Sequence, residues 1–223
     1  MLRAMDEALR VREFWFGPAL SSWRSGHAPT SGRSLQELTR RMDFWFGNGE
    51  TAEQRARKDA LIASRFSDLV ERASDGSLAS WADSPRRRLS LIILLDQFPR
   101  NLFRGKSRAF AYDEQALELA LSGMQCAADG ALNTIERIFF YMPLQHSEQP
   151  EIQDESVAAY RRLLGEAPEE AQAIFAATLE SAEVHRQIIR RFGRFPSRNR
   201  ALGRVSGPEE RAYLATEGVQ FGQ

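Results

Sequence analysis

Cysteine, lysine and strand-forming patterns are scarce in this chain. Of 223 residues only Cys126 is a cysteine, and only Lys58 and Lys106 are lysines. A single thiol excludes an internal disulfide framework and a zinc site built from cysteines. Long apolar runs are missing too. The longest, Leu89 to Leu95 (LSLIILL), is far shorter than the roughly 20 residues a membrane-spanning helix needs. The first residues, MLRAMDEALRVREFWFG, carry scattered acids and no apolar core segment, so no secretory leader is expected and the expected compartment is the cytoplasm. Formal charge is zero, which argues against a global membrane or nucleic-acid binder. No alternating apolar-polar run bounded by a hairpin turn marks a strand.

What the chain has is arginine and helical periodicity. Between His185 and Arg204 stand seven arginines and no acid. Arginine forks suit planar recognition of carboxylate or phosphate. Helices are expected from Asp6 to Phe16, stopped at Gly17-Pro18; from a Ser34/Glu37 capping box to Phe46, closed by Gly47; and onward from a Thr51/Gln54 box. Ser84-Pro85 opens a helix that is apolar almost all round and so belongs at the centre of the fold. Further helices are expected at Asp113 to Ala128, Thr134 to Met142, Glu151 to Leu164, Glu169 to Arg191 and Pro208 to Glu217. About nine helices on short connections predict one all-α domain over residues 1–223, built of paired antiparallel neighbours.

Four segments carry polar groups toward the interior. LLDQFPRN (Leu94 to Asn101) and GRFPSRN (Gly193 to Asn199) each leave an apolar helix, break at Phe-Pro and deliver Arg-Asn. Proline restricts the residue before it, so each break is read as a helix end that fixes the direction of the Arg-Asn pair. Helical spacing puts Asp96 on the same face as Leu89, Ile92 and Ile93, and a carboxylate there needs a partner. A structural Asp–Arg pair is one reading; an acid with a shifted pKa in a pocket is the other. RNLFRGKSR adds Arg104, with Lys106 and Arg108 read as solvated. In YMPLQHSEQPE, Pro143 ends an aromatic helix and His146 and Glu148 follow on a polar connection. His185 falls beside Ile188 and Ile189 on a long helix, where a satisfied core histidine is the plainer reading. A metal site from His146, His185, Glu148 and Asp96 lacks any local ligand spacing, and no metal or cofactor is expected. EFWFG (Glu13 to Gly17) and DFWFG (Asp43 to Gly47) read as packing anchors, with Trp15 or Trp45 as a lesser choice for a pocket wall.

FWFG, the second WFG, LLDQFPRNLFRG, PLQHSE and HRQIIRRFGRFPSRNRALGR together resemble, in that order from Val11 to Phe221, the bacterial family known as domain of unknown function 924. The resemblance implies a helical domain of tetratricopeptide-like type, an α-α superhelix, and no agreed activity. Matched positions are Asp96, Gln97, Arg100, Asn101, His146, Glu148, His185, Arg194, Arg198 and Asn199. Gln145 stands where the family usually has Glu, and Ser197 where it usually has His; each removes a potential ligand or proton carrier.

The function expected first is binding. Arg100, Asn101, Arg198 and Asn199 converge on one polar site, with Asp96 and His146 orienting them, to hold a small anionic molecule or a peptide carboxylate. Gln97, Arg104, Glu148, His185 and Arg194 complete the expected site. A hydrolase or transferase acting on an anionic substrate is the rival, with His146 or His185 as general base oriented by Glu148 or Asp96. A protein-binding scaffold is a third class, and RNA binding ranks last. An enzyme requires a histidine about 3 Å from a carboxylate in a closed cleft; a pure binder does not.

Overall fold

The computed structural model describes residues 6–21, 32–47 and 49–216, with side chains from 36 onward in the second stretch. Among the described residues there is helix and turn and no strand. α1 (Glu7–Ser21) packs on α2 (Gly32–Phe46), α4 (Pro85–Ile92) and α7 (Thr134–Phe140). α3 (Ala52–Ser74) packs along α5 (Phe98–Leu102), and α6 (Asp113–Gln125) covers α4 and α8 (Met142–His146). α9 (Pro150–Glu166) and α10 (Gln172–Phe192) form the longest helix pair, and α11 (Pro208–Thr216) closes on the 3-10 turn Pro196–Arg198.

Local signals explain several boundaries. Thr51 and Gln54 make the expected reciprocal capping box at the start of α3. A second box, Asn133 with Glu136, opens α7. Pro85 occupies the first turn of α4, where a missing N–H costs nothing. The side chain of Ser34, and with it the box expected with Glu37, lies outside the described residues, as does Glu217. Gly17 breaks α1 as expected, taking a non-helical φ +78° and ψ 158°, and a second short helical piece carries on across this kink to Ser21. A Cβ there would meet the Arg41 guanidinium at 2.6 Å, a flexible end that can shift, so it is the positive φ that calls for glycine. That guanidinium reaches the Phe14 carbonyl at 3.2 Å, beside the bend.

The core is centred on α4 and its continuation. Leu89, Leu91 to Leu95 and Phe98 are all buried, as an all-round apolar helix requires. Each contributes about 1.5–3 kcal/mol by leaving water. Around Phe98 the aromatics interlock edge to face. Phe139 lies 5.5 Å from Trp15, 5.5 Å from Phe16 and 4.6 Å from Trp45, so both FWF segments meet on one ring. Through the α1 contact runs a buried ion pair, Arg12 Nη2 to Glu136 Oε1 at 2.6 Å.

Candidate functional site

The first Phe-Pro break is not a helix end. Residues Ile93–Gln97 form a π-turn, in which Phe98 N–H donates to the Ile93 carbonyl five residues back, and α5 continues with Pro99 in its first turn. The wider turn accommodates a proline ring that would collide with an α-helical carbonyl. Two carbonyls at the widened turn take side-chain donors instead. Arg100 Nη1 donates to Asp96 O at 2.6 Å and Asn101 Nδ2 to Gln97 O at 3.0 Å.

The second Phe-Pro break differs. α10 is ended by Gly193 at φ +68°, whose N–H donates to Ile189 O at 2.8 Å. Phe195-Pro196 then starts a separate 3-10 turn. The two turns do meet, on an acid that the sequence did not single out. Asp113, in the first turn of α6, accepts both arms of Arg100 at 2.8 and 2.9 Å and Nη1 of Arg198 at 3.2 Å. Arg198 is 6% exposed, donates also to the His146 carbonyl at 2.9 Å, and lies between the Phe110 and Phe195 rings at 4.8 and 4.6 Å. Burial lowers its pKa to about 10, so it stays charged.

Several expected site residues serve this framework. Glu148 does not orient a histidine. It accepts from Phe195 N at 2.9 Å and pairs with Arg204 at 2.9 Å, pinning the second turn to the α8–α9 connection. Burial raises its pKa, but these donors outweigh burial and leave it lowered. Arg194 forks onto Glu210 at 2.7 and 2.8 Å and anchors α11. Asn199 donates to Ser206 Oγ at 3.0 Å. None of Glu148, Arg194, Arg198 and Asn199 lines the cavity described next.

That cavity, about 490 Å³, lies between the π-turn and α5 on one side and α2, α3, α8 and α10 on the others. Its size suits a small organic molecule. Gln97, Arg100, Asn101, Arg104, His146 and His185, all expected site residues, line it. Trp15, Met42, Trp45, Phe46, Ile138 and Met142 supply an apolar wall. Arg55 and Lys58 add positive charge, so four cationic side chains (with Arg100 and Arg104) stand against two carboxylates, Glu50 and Glu180. Lys58 and Arg55 are tied to Glu50 at 3.0 and 3.4 Å, whereas Asp59 and Asp113, the carboxylates that Arg104 and Arg100 fork onto, lie off the cavity. Trp15 is 2% exposed, and its indole N–H has no acceptor among the described residues.

Sequence reasoning missed Lys58, Arg55 and Glu50, which look like any amphipathic helix start. The FWFG pair was the available signal for the Trp15–Trp45 wall.

The two histidines sit side by side, ring centres 6.3 Å apart. His146, at the C-terminus of the short helix α8 and not on a loop, holds Asp96 Oδ1 through Nδ1 at 2.6 Å. The aromatic helix α7 ends at Phe140, close to its expected end, and Pro143 lies in the first turn of the next helix, α8. Asp96 is fully buried, its other oxygen taking Gln97 Nε2 at 2.5 Å. Burial alone would raise the Asp96 pKa; His146, Arg100 and Gln97 together hold it well below the usual carboxylate range. Burial, followed by Arg100, lowers the His146 pKa. The pair is therefore a carboxylate beside a neutral imidazole, Nδ1–H facing Asp96. His185 meets the Ser181 carbonyl through Nδ1 at 2.7 Å, and burial lowers its pKa to about 3. Among the described residues no three His, Cys, Asp or Glu side chains come together to hold a metal ion, and no helix is long and apolar enough to cross a membrane.

An all-α chain with an aromatic-walled, cation-rimmed cavity is the class that fold and geometry define. The chain belongs to the family described as bacterial protein of unknown function, DUF924, which it matches over residues 11–218. It is similar to the solved structure of the protein of unknown function ATU0120 from Agrobacterium tumefaciens, at 34% identity and a TM-score of 0.66, covering 83% of this chain and 99% of that one. No protein with a curated description matches.

Proposed function

We propose that the protein binds a small organic anion with an apolar or aromatic body in this cavity. The carrying observation is the pairing of two unlike walls in one cavity. Trp15, Trp45, Phe46 and Met42 offer a flat apolar surface, and Lys58, Arg100 and Arg104 bring positive charge to the same space. Carboxylates and phosphates are held by such groups, and the aromatic wall takes the remainder of the ligand. The unpaired indole N–H of Trp15 supports the same reading, since a buried donor without an acceptor costs about 1–3 kcal/mol. The expectation that both Arg-Asn pairs touch the ligand narrows to the first pair, because Arg198 and Asn199 serve the framework behind it.

Isothermal titration with 1-naphthoate, and with the neutral analogue 1-naphthalenemethanol, tests this. Naphthoate is expected to bind saturably and the alcohol at least ~10-fold more weakly, a difference of about 1.4 kcal/mol. Arg104→Ala should weaken naphthoate and leave the alcohol unchanged. Equal affinity for both compounds, or none for either, sinks the proposal.

A further inference from the structure

We propose that His146, positioned by Asp96, is a general base for hydrolysis of an acyl ester bound in this cavity. The proposal rests on the binding reading above and names the reaction class of the same site. Its geometry is an Asp–His couple fifty residues apart in sequence and 2.6 Å apart in space. Asp96 is fully buried and reaches the cavity only through other groups. His146 both touches Asp96 and lines the cavity, its side chain 12% exposed. With Nδ1 committed to the carboxylate, the imidazole edge carrying Nε2 is the one left for the cavity. A carboxylate on Nδ1 fixes the tautomer with its lone pair on Nε2 and stabilises the imidazolium once a proton arrives. Burial keeps the ring neutral at physiological pH, the form a base needs.

The chemistry favours acyl over phosphoryl transfer. Phosphoryl transfer asks mainly for cations on the transferred group. Arg100, which lines the cavity, gives Nη1 and Nη2 to Asp113, and Arg198 lies off the cavity with Nη1 on Asp113 and Nη2 on the His146 carbonyl. Acyl hydrolysis asks for a base, a water and hydrogen-bond donors for a carbonyl oxygen. Gln97 and Asn101 line the same cavity, and each amide keeps one N–H beyond the one it gives to Asp96 Oδ2 or to the Gln97 carbonyl. In the proposed step His146 Nε2 takes a proton from water as its oxygen bonds to the carbonyl carbon. The tetrahedral intermediate collapses, the carbon–oxygen bond to the alcohol breaks, and the proton on Nε2 passes to the departing alkoxide. An acid and an alcohol result, with no other reactant. The cationic rim selects an ester carrying a second, anionic group.

Mono-p-nitrophenyl glutarate, against neutral p-nitrophenyl acetate, is the probe. The full chain is expected to hydrolyse the anionic ester saturably and to prefer it in kcat/KM. His146→Gln should lower kcat by about 10²–10⁴-fold, the usual worth of a general base, with a much smaller change in KM. Asp96→Asn tests positioning. The groups facing His146 are Asp96, Arg100, Asp113, His185 and the Arg198 guanidinium on its carbonyl. Loss of the Asp96 charge should move the acidic limb of the pH–rate profile to lower pH, which a merely structural change does not do. Wild-type protein treated with diethyl pyrocarbonate avoids dependence on variant folding. Turnover should fall in step with modification of His146 mapped by mass spectrometry, and naphthoate should protect both. Turnover unaffected by His146→Gln, or by complete modification of His146, overturns the proposal. So does absence of saturable turnover while naphthoate binds, an outcome that leaves the binding reading standing. If naphthoate fails to bind, the binding reading itself falls.

Discussion

Replacing Asp113 by Asn isolates the joint between the two Phe-Pro turns. The carboxylate receives three charge-assisted hydrogen bonds, two from Arg100 and one from Arg198, at 2.8–3.2 Å. The three side chains are only 18%, 12% and 7% exposed, so little solvent screens them. An amide keeps the shape and one acceptor oxygen but removes the charge, and turns a donor toward two guanidinium groups. Breaking a buried pair from one side costs about 3–5 kcal/mol, because the remaining charge is left unbalanced. Here Arg100 retains Asp96 at 3.5 Å, whereas Arg198 retains neutral hydrogen-bond partners and the more distant charges of Glu148 and Asp96. The expected loss is therefore about 3–4 kcal/mol, or roughly 6–16 °C in midpoint for a chain of this size. Thermal and urea unfolding measure it. The double variant Asp113→Asn, Arg198→Met removes the stranded cation and should recover at least ~1 kcal/mol of the loss. A midpoint within ~2 °C of wild type in the single variant, or no recovery in the double, refutes the idea that Asp113 joins the turns.

Two further outcomes follow from buried groups. His185 has its pKa lowered to about 3 from 6.5, so between those values the unfolded chain binds a proton that the folded one refuses. Stability is fully present above about pH 6.5 and falls as pH drops toward 3, at up to about 1.4 kcal/mol per pH unit. Melting curves of wild type and His185→Gln from pH 8 to 4 should converge as pH falls; parallel curves would show that His185 does not titrate with folding. Phe139→Ala removes the ring on which Trp15, Phe16 and Trp45 meet, and should cost about 3–5 kcal/mol by urea unfolding. A loss below ~1.5 kcal/mol would mean the neighbouring rings collapse into the space.

The helices were legible because their punctuation is local. Thr51 with Gln54 closes hydrogen bonds three residues apart, and Pro85 sits in a first turn that needs no N–H. The chemical types of the site residues were legible for the same reason: a polar residue on an apolar stripe stands out, as Asp96 does. Their pairing was not. Asp96 chooses His146, and Glu148 chooses Arg204 and Phe195 N, through packing that no local spacing encodes. Asp113 gave no signal, since an acid in the first turn of a helix is ordinarily read as a partner of the helix dipole. Nor did the π-turn, because one extra residue in a hydrogen-bonded ring leaves the pattern of apolar residues unchanged.

That extra residue has a geometric effect on everything after it. Each residue advances the azimuth of an α-helix by ~100°, so a widened ring swings the downstream side chains by about that angle relative to an unbroken helix. Gln97, Arg100, Asn101 and Arg104 recur at three- and four-residue steps and together face the hollow. Without the swing, a rod that is greasy all round would carry this hydrophilic row off toward a different neighbour. Length in Ile93–Gln97 is thus under tighter constraint than identity: dropping one residue there would keep nearly every side chain and still aim the row the wrong way.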